Sequence, residues 1–183
     1  MDWNEHWELR DRHAFLSPSS YHWINYTSEK LEDRFYGEMA KRRGTELHEF
    51  ASRAIELNRK MPRNKDALNS FVNDALGYGM QSEQPLYYSD NCFGTADAIS
   101  FNKGLLRIHD LKTGVTPASM KQLIIYAALF CLEYSVDPTQ IDMELRIYQN
   151  DEIEIHIPDP DEIQEIMDKI VEMDKQIEFL KGQ

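Results

Sequence analysis

The run from Gly94 to Tyr126, GTADAISFNKGLLRIHDLKTGVTPASMKQLIIY, constrains the fold of this chain more than any other stretch. Residues 93–101 and 105–111 are apolar or alternating and are joined by Asn102-Lys103-Gly104, so they read as a β-hairpin closed by a glycine-containing turn. Each strand carries one aspartate, Asp97 in the first and Asp110 near the end of the second. Lys112 follows two residues later, on the same side of an extended chain as Asp110. Two carboxylates and an ammonium therefore converge at one end of the hairpin.

Carboxylates gathered in a partly buried site repel each other unless a cation sits between them, and hard oxygen ligands suit Mg²⁺ or Mn²⁺. Such an ion acidifies water and neutralises charge developing on a phosphate. Lys112 would orient or deprotonate the attacking water, or stabilise a pentavalent phosphorane. Taken alone, an Asp-x-Lys triplet more often describes a surface ion pair at a strand end. The motifs around it change that balance.

In order, the chain presents Gly44-x-x-x-His48, Gly94-x-x-Asp97, Asp110-x-Lys112-Thr113-Gly114 and Gln122-x-x-x-Tyr126. This series resembles the RecB-like branch of the PD-(D/E)XK nucleases over residues 44–126. The resemblance implies an α/β, restriction-endonuclease-like fold with a mixed central β-sheet flanked by helices. It also implies that His48, Asp97, Asp110 and the backbone carbonyl of Leu111 bind Mg²⁺ or Mn²⁺. Lys112 would be the catalytic lysine, working with Asp97 and Asp110, while Gln122 and Tyr126 would position the lysine and the DNA strand. Some members of the branch carry four cysteines for an iron-sulfur cluster. Here there are two, Cys92 and Cys131, so no cluster is expected, and the likeness is to compact stand-alone enzymes of the phage or bacterial kind.

With 183 residues, 42% of them hydrophobic, the chain can bury one sizeable core, and a single nuclease domain over 1–183 is the simplest expectation. No apolar run approaches a membrane span, and MDWNEHWELRD is not a secretory leader, so a cytoplasmic protein without a membrane partner is expected. A net charge of -12 taken whole argues against a nucleic-acid partner. Its distribution argues otherwise. Residues 133–183 hold 15 acidic and 4 basic residues, which leaves the first 132 near neutrality. There, Lys41, Arg42, Arg43, Arg53, Arg59, Lys60, Arg63 and Lys65 cluster about the His48 segment. Arg42 and Arg43 are candidate contacts to a phosphate backbone. A solvated helix face accounts for the cluster equally well.

The opening segment holds Trp3, Trp7, Tyr21, Trp23 and Tyr26, which suit a core more than a base-stacking surface. Ser17 as N-cap and Pro18 at the first position predict a short helix over 19–26. Residues 28–43 are charged and helix-compatible but lack a clean apolar stripe, and they read as a mobile connector. From Leu47, a stripe of Leu47, Phe50, Ala51, Ala54 and Ile55 predicts an amphipathic helix to about Leu57, with His48 beside the stripe. Glu46 and Glu49 are read as solvated charge. Asn64 is a candidate cap for a second helix ending near Gly77 and Gly79. Residues 84–89 read as a strand, with Glu83 before it as a turn carboxylate or, less favoured, a distal metal contact. A buried helix over 118–134 carries Gln122 and Tyr126 on one face. Two further strands, 141–148 and 152–157, precede a final helix whose apolar face, from Ile163 to Leu180, packs on the sheet or on a partner chain, including a second copy.

The expected order is α, α, β, β, β, α, β, β, α. The expected activity is that of a metal-dependent deoxyribonuclease, an exonuclease on DNA ends or single strands in preference to an endonuclease. The alternative is a non-catalytic nucleic-acid-binding or assembly subunit that keeps the fold, and RNA would use the same site.

Overall fold

The computed structural model describes residues 14–182; Trp3 and Trp7 lie outside them. The chain divides into two compact units, one ending at Arg43 and the other beginning at Gly44.

In the first unit, Pro18–Asn25 forms a 3-10 helix with Pro18 at its start, interrupted by non-helical backbone at Ser20. Ser17 makes no capping bond. Its hydroxyl pairs instead with Ser19 at 2.8 Å, and its carbonyl accepts from Trp23 Nε1 at 2.8 Å. Tyr21 packs beside His22 and stays exposed. No described residue of this unit is buried, so the expectation of a core is corrected for Tyr21, Trp23 and Tyr26, the aromatics of that set that are described. They pack along their own chain. Residues 28–43 are no loose connector either: helix α1 runs unbroken over Ser28–Glu56. Its Glu, Lys, Arg, Leu and Met residues favour helix without needing an apolar stripe.

The second unit holds a five-stranded sheet in the order β1 (Gln81–Ser89), β2 (Cys92–Asn102), β3 (Leu105–Leu111), β4 (Asp142–Gln149) and β5 (Glu152–His156). All neighbours are antiparallel except β3 and β4, which are parallel. Helix α3 (Lys121–Tyr134) makes the crossover that parallel pairing demands. The β2–β3 turn places Lys103 at φ 52° and Gly104 at φ 80°, the left-handed pair that a two-residue hairpin turn requires. Helix α2 (Ala67–Gly77) is capped by Asp66, which accepts from the Asn69 N–H at 3.0 Å. Asn64, the expected cap, instead accepts from the Asp66 N–H and the Asn69 carboxamide.

Two cores sandwich the sheet. On one face, Leu123, Leu129 and Ile163 pack with Leu86, Ala96, Leu106, Ile108, Leu145 and Ile147. On the other, Ala51, Ala54 and Ile55 of α1 and Phe71, Val72 and Ala75 of α2 pack with Ala98, Leu111 and Tyr148. Phe50, expected in the stripe, is exposed, as is Ile125 in the apolar middle of α3, where burial is expected. Helix α4 (Pro160–Lys181) joins the first core through Ile163, Ile166, Met167 and Ile170, while Phe179 and Leu180 near its end remain exposed. The architecture is thus α/β, a mixed sheet flanked by helices. No described helix is long and apolar enough to cross a membrane.

Candidate active site

The expected motif residues of the second unit meet where β2 and β3 end their pairing. That pairing stops at Ala98 opposite His109. One rung further the two strands carry Asp97 and Asp110, and the Leu111 N–H turns to the Asp97 carboxylate, donating to Oδ2 at 2.9 Å. A peptide N–H that would otherwise serve a ladder thus fixes a carboxylate.

Two glycines permit the approach of the helices. A Cβ at Gly44 would lie 2.8 Å from Thr113 Oγ1, so α1 can lie this close to the end of β3 only without a side chain there. A Cβ at Gly94 would lie 3.0 Å from Cε1 of Tyr126 on α3. The first contact sets His48, one turn beyond Gly44, over the sheet, with Nδ1 3.4 Å from Asp97 Oδ2. The second holds the helix that supplies Gln122.

Lys112 is fixed from two sides. Its Nζ lies 3.0 Å from Asp110 Oδ2 and donates to Oδ1 at 3.2 Å and to Gln122 Oε1 at 2.7 Å. The Gln122 amide in turn lies 3.4 Å from the Tyr126 hydroxyl. The backbone N–H of Lys112 donates to the Tyr148 carbonyl at 2.9 Å, which extends the β3–β4 ladder by one bond. Behind it, Gln149 at the end of β4 staples the following loop, accepting from Ala118 N and donating to the carbonyls of Gly114 and Thr116.

Electrostatics follow from burial and crowding. Asp110 is 3% exposed, and desolvation, reinforced by the Asp97 charge, pushes its carboxyl up to about 6 despite the Lys112 ammonium. Its Oδ2 is buried and accepts no hydrogen bond, though the Lys112 ammonium that bonds Oδ1 also stands 3.0 Å from it as an ion contact. The bond to Asp97 raises His48 above the usual imidazole value against the opposing effect of burial. Desolvation, with the Asp97 charge, raises Glu83.

Glu83 is the residue that sequence reasoning set aside. His48, Glu83 and Asp97 present ligand atoms that all lie within 4.8 Å of one another. Nitrogen and carboxylate oxygens at this spacing fit a hard divalent cation, and the buried Asp110 Oδ2, in ion contact with Lys112 but accepting no hydrogen bond, keeps lone-pair capacity that such an ion or its water would satisfy. The only sequence signal for Glu83 was its place just before a strand. Leu111 is buried one residue beyond Asp110, opposite Tyr148 of β4, whereas Arg42 and Arg43 are exposed and belong to the first unit. Arg53 is engaged with Glu56 at 3.3 Å.

Under the site lies a buried polar network. His109 is fully buried, and burial together with Arg146 and Arg107 lowers it to about 3, so its ring is neutral. The Tyr148 hydroxyl donates to Asp74 Oδ2 at 2.7 Å and therefore accepts from His109 Nδ1 at 3.2 Å. Arg146 closes the network onto Asp74 at 3.1 Å and Tyr78 at 3.0 Å. This ties α2 to β3 and β4 directly behind Asp110. In comparisons with known proteins, no family model matches this chain and no curated protein matches it.

Proposed function

We propose that this chain is a metal-dependent deoxyribonuclease, an exonuclease that hydrolyses phosphodiesters at DNA ends or in single strands. The observation that carries this reading is the Lys112 ammonium held between Asp110 and Gln122, beside the His48, Glu83 and Asp97 ligand group. It is also the activity implied by the resemblance to RecB-like PD-(D/E)XK nucleases. Bound Mg²⁺ or Mn²⁺ supplies Lewis acidity, which makes water a better nucleophile and neutralises charge on the phosphate. His48, Asp97 and Asp110 would hold that ion, and the Leu111 N–H, bonded to Oδ2, would fix the Asp97 carboxylate for it.

Lys112 does the remaining electrostatic work. Gln122 and Asp110 fix its ammonium before substrate arrives, so no reorganisation is needed as negative charge builds on the phosphate oxygens. Water forms one P–O bond while the bond to the leaving sugar oxygen breaks, without a covalent enzyme intermediate. The DNA strand is the proposed partner.

The test is a time course on end-labelled single- and double-stranded linear DNA, beside a closed circle, with Mn²⁺, with Mg²⁺ and with EDTA. Metal-dependent loss of linear DNA with survival of circles is expected. DNA bound but uncut under every condition would sink the enzyme reading and leave a binding or assembly module in its place.

A further inference from the structure

The site contains an irregularity that its proposed chemistry does not by itself require. In a regular strand, residues two apart share a face. Ala96 belongs to the core under α3, whereas Ala98 belongs to the core under α1 and α2. The same change separates Met80, just before β1, from Leu86 within it, although their spacing is even. Both strands therefore change face at one rung. The register pairs Ser82 with Ala98 and Gln84 with Ala96, so the residues between them, Glu83 and Asp97, stand at the crossing.

The backbone shows how the crossing is made. Glu83 has φ 50°, a left-handed conformation inside a strand, and it has a full side chain. Continued to β3, the same rung leads to Asp110. Three adjacent strands thus bring one carboxylate each to one row, with the His48 imidazole above it. Three like charges side by side destabilise a sheet. Lys112 lies 3.0 Å from Asp110 Oδ2 and His48 lies 3.4 Å from Asp97 Oδ2, while His48, Glu83 and Asp97 present ligand atoms within 4.8 Å of one another.

We infer that Glu83 is a further protein ligand of the divalent cation, turned onto it by the left-handed backbone at the face crossing. This rests on the proposed metal site and adds a ligand from β1, opposite the Asp-x-Lys strand. The ion is then gripped from three elements, α1, β1 and β2, with Asp110 of β3 closing the row.

The experiment measures Mn²⁺ binding to the full chain at pH 8, by calorimetry and by loss of the free Mn²⁺ electron paramagnetic resonance signal, without DNA. Glu83→Gln keeps size and removes charge; it is expected to weaken Mn²⁺ binding on the order of tenfold or more. Glu83→Gly suits the left-handed backbone; it is expected to lose the same affinity while melting at a higher temperature in EDTA. Asp97→Asn is the control that must lose binding. Unchanged Mn²⁺ affinity in both Glu83 variants, with loss in Asp97→Asn, overturns the inference, and so does a parent chain that binds no Mn²⁺. A parent chain that binds Mn²⁺ through Glu83 but cuts no DNA leaves this ligand standing and removes only the nuclease reading.

Discussion

Gly44 and Thr113 meet so closely that a Cβ on the glycine would stand 2.8 Å from the threonine Oγ1. Within a helix, Gly→Ala is otherwise worth about 1 kcal/mol of stabilisation. At this position the β-branched Thr113 must turn away or α1 must lift. Gly44→Ala is therefore expected to destabilise the chain, and Gly44→Ala with Thr113→Ala to recover stability beyond the single variant. A double-mutant cycle by urea denaturation checks this, and additive effects would remove the contact as the reason for the glycine.

Gly94 stands in the same relation to Tyr126, whose ring edge would lie 3.0 Å from the added carbon. Gly94→Ala is expected to cost about 1 kcal/mol and to lower cleavage several-fold by shifting the helix that presents Gln122. With Tyr126→Ala beneath it the stability cost should vanish, which thermal melting of the pair would show.

Asp110 makes the metal-free protein sensitive to pH in an unusual direction. Its folded value of about 6 exceeds the unfolded carboxylate value, so the folded chain retains a proton that the unfolded chain has released. Stability present below about pH 4 is lost as pH rises through about 6, by about 3 kcal/mol. His48, raised in the fold, adds stability below its unfolded value that is likewise lost at higher pH. His109, lowered to about 3, works in the opposite sense and loses stability as pH falls below the ordinary imidazole value, so the Asp110 contribution is read as a difference: in EDTA, the stability of the parent relative to Asp110→Asn should be greater at pH 5 than at pH 8 by urea denaturation. Mn²⁺ needs the ionised carboxylate, so its affinity should climb over the same interval.

Lys112→Ala removes the ammonium and leaves every oxygen and nitrogen ligand in place. At pH 8, Mn²⁺ affinity should stay within a few-fold while cleavage falls on the order of a thousandfold. Retained cleavage would exclude the proposed role of the lysine.

Gln122 carries no charge and sits at the surface, yet its Oε1 fixes Lys112 at 2.7 Å. Gln122→Ala should lower the turnover rate about tenfold to a hundredfold. Melting temperature and Mn²⁺ affinity should be nearly unchanged. A fall in stability of the same rank would make the residue a packing element.

Local rules carried much of this structure. Asn102-Lys103-Gly104 made the hairpin legible because its turn chemistry is local, and Asp110 with Lys112 kept strand alternation. Glu83 escaped for a physical reason. Its left-handed backbone breaks the alternation that marks a strand, so β1 seemed to begin at Gln84 when it begins at Gln81. Residues 28–43 concealed a helix because none is buried, and a helix held by propensity leaves no stripe to read. The choice of Asp66 over Asn64 as cap was equally hidden, since both residue types suit the position and their mutual bonding decides between them.

β5 forms an outer margin of the sheet, pairing with β4 alone and exposing Ile153 and Ile155, which alternate with Glu152, Glu154 and His156. A short apolar margin of this kind is a template for a neighbouring chain, and interleaved charge is what prevents the match. The acidic C-terminal third therefore governs how molecules meet as well as how each one folds. Near the isoelectric point of about 4.9, mutual repulsion fades and two such margins can join. Concentrated protein should then cloud as the pH falls toward that point, while at neutral pH the charges along β5 hold such margins apart.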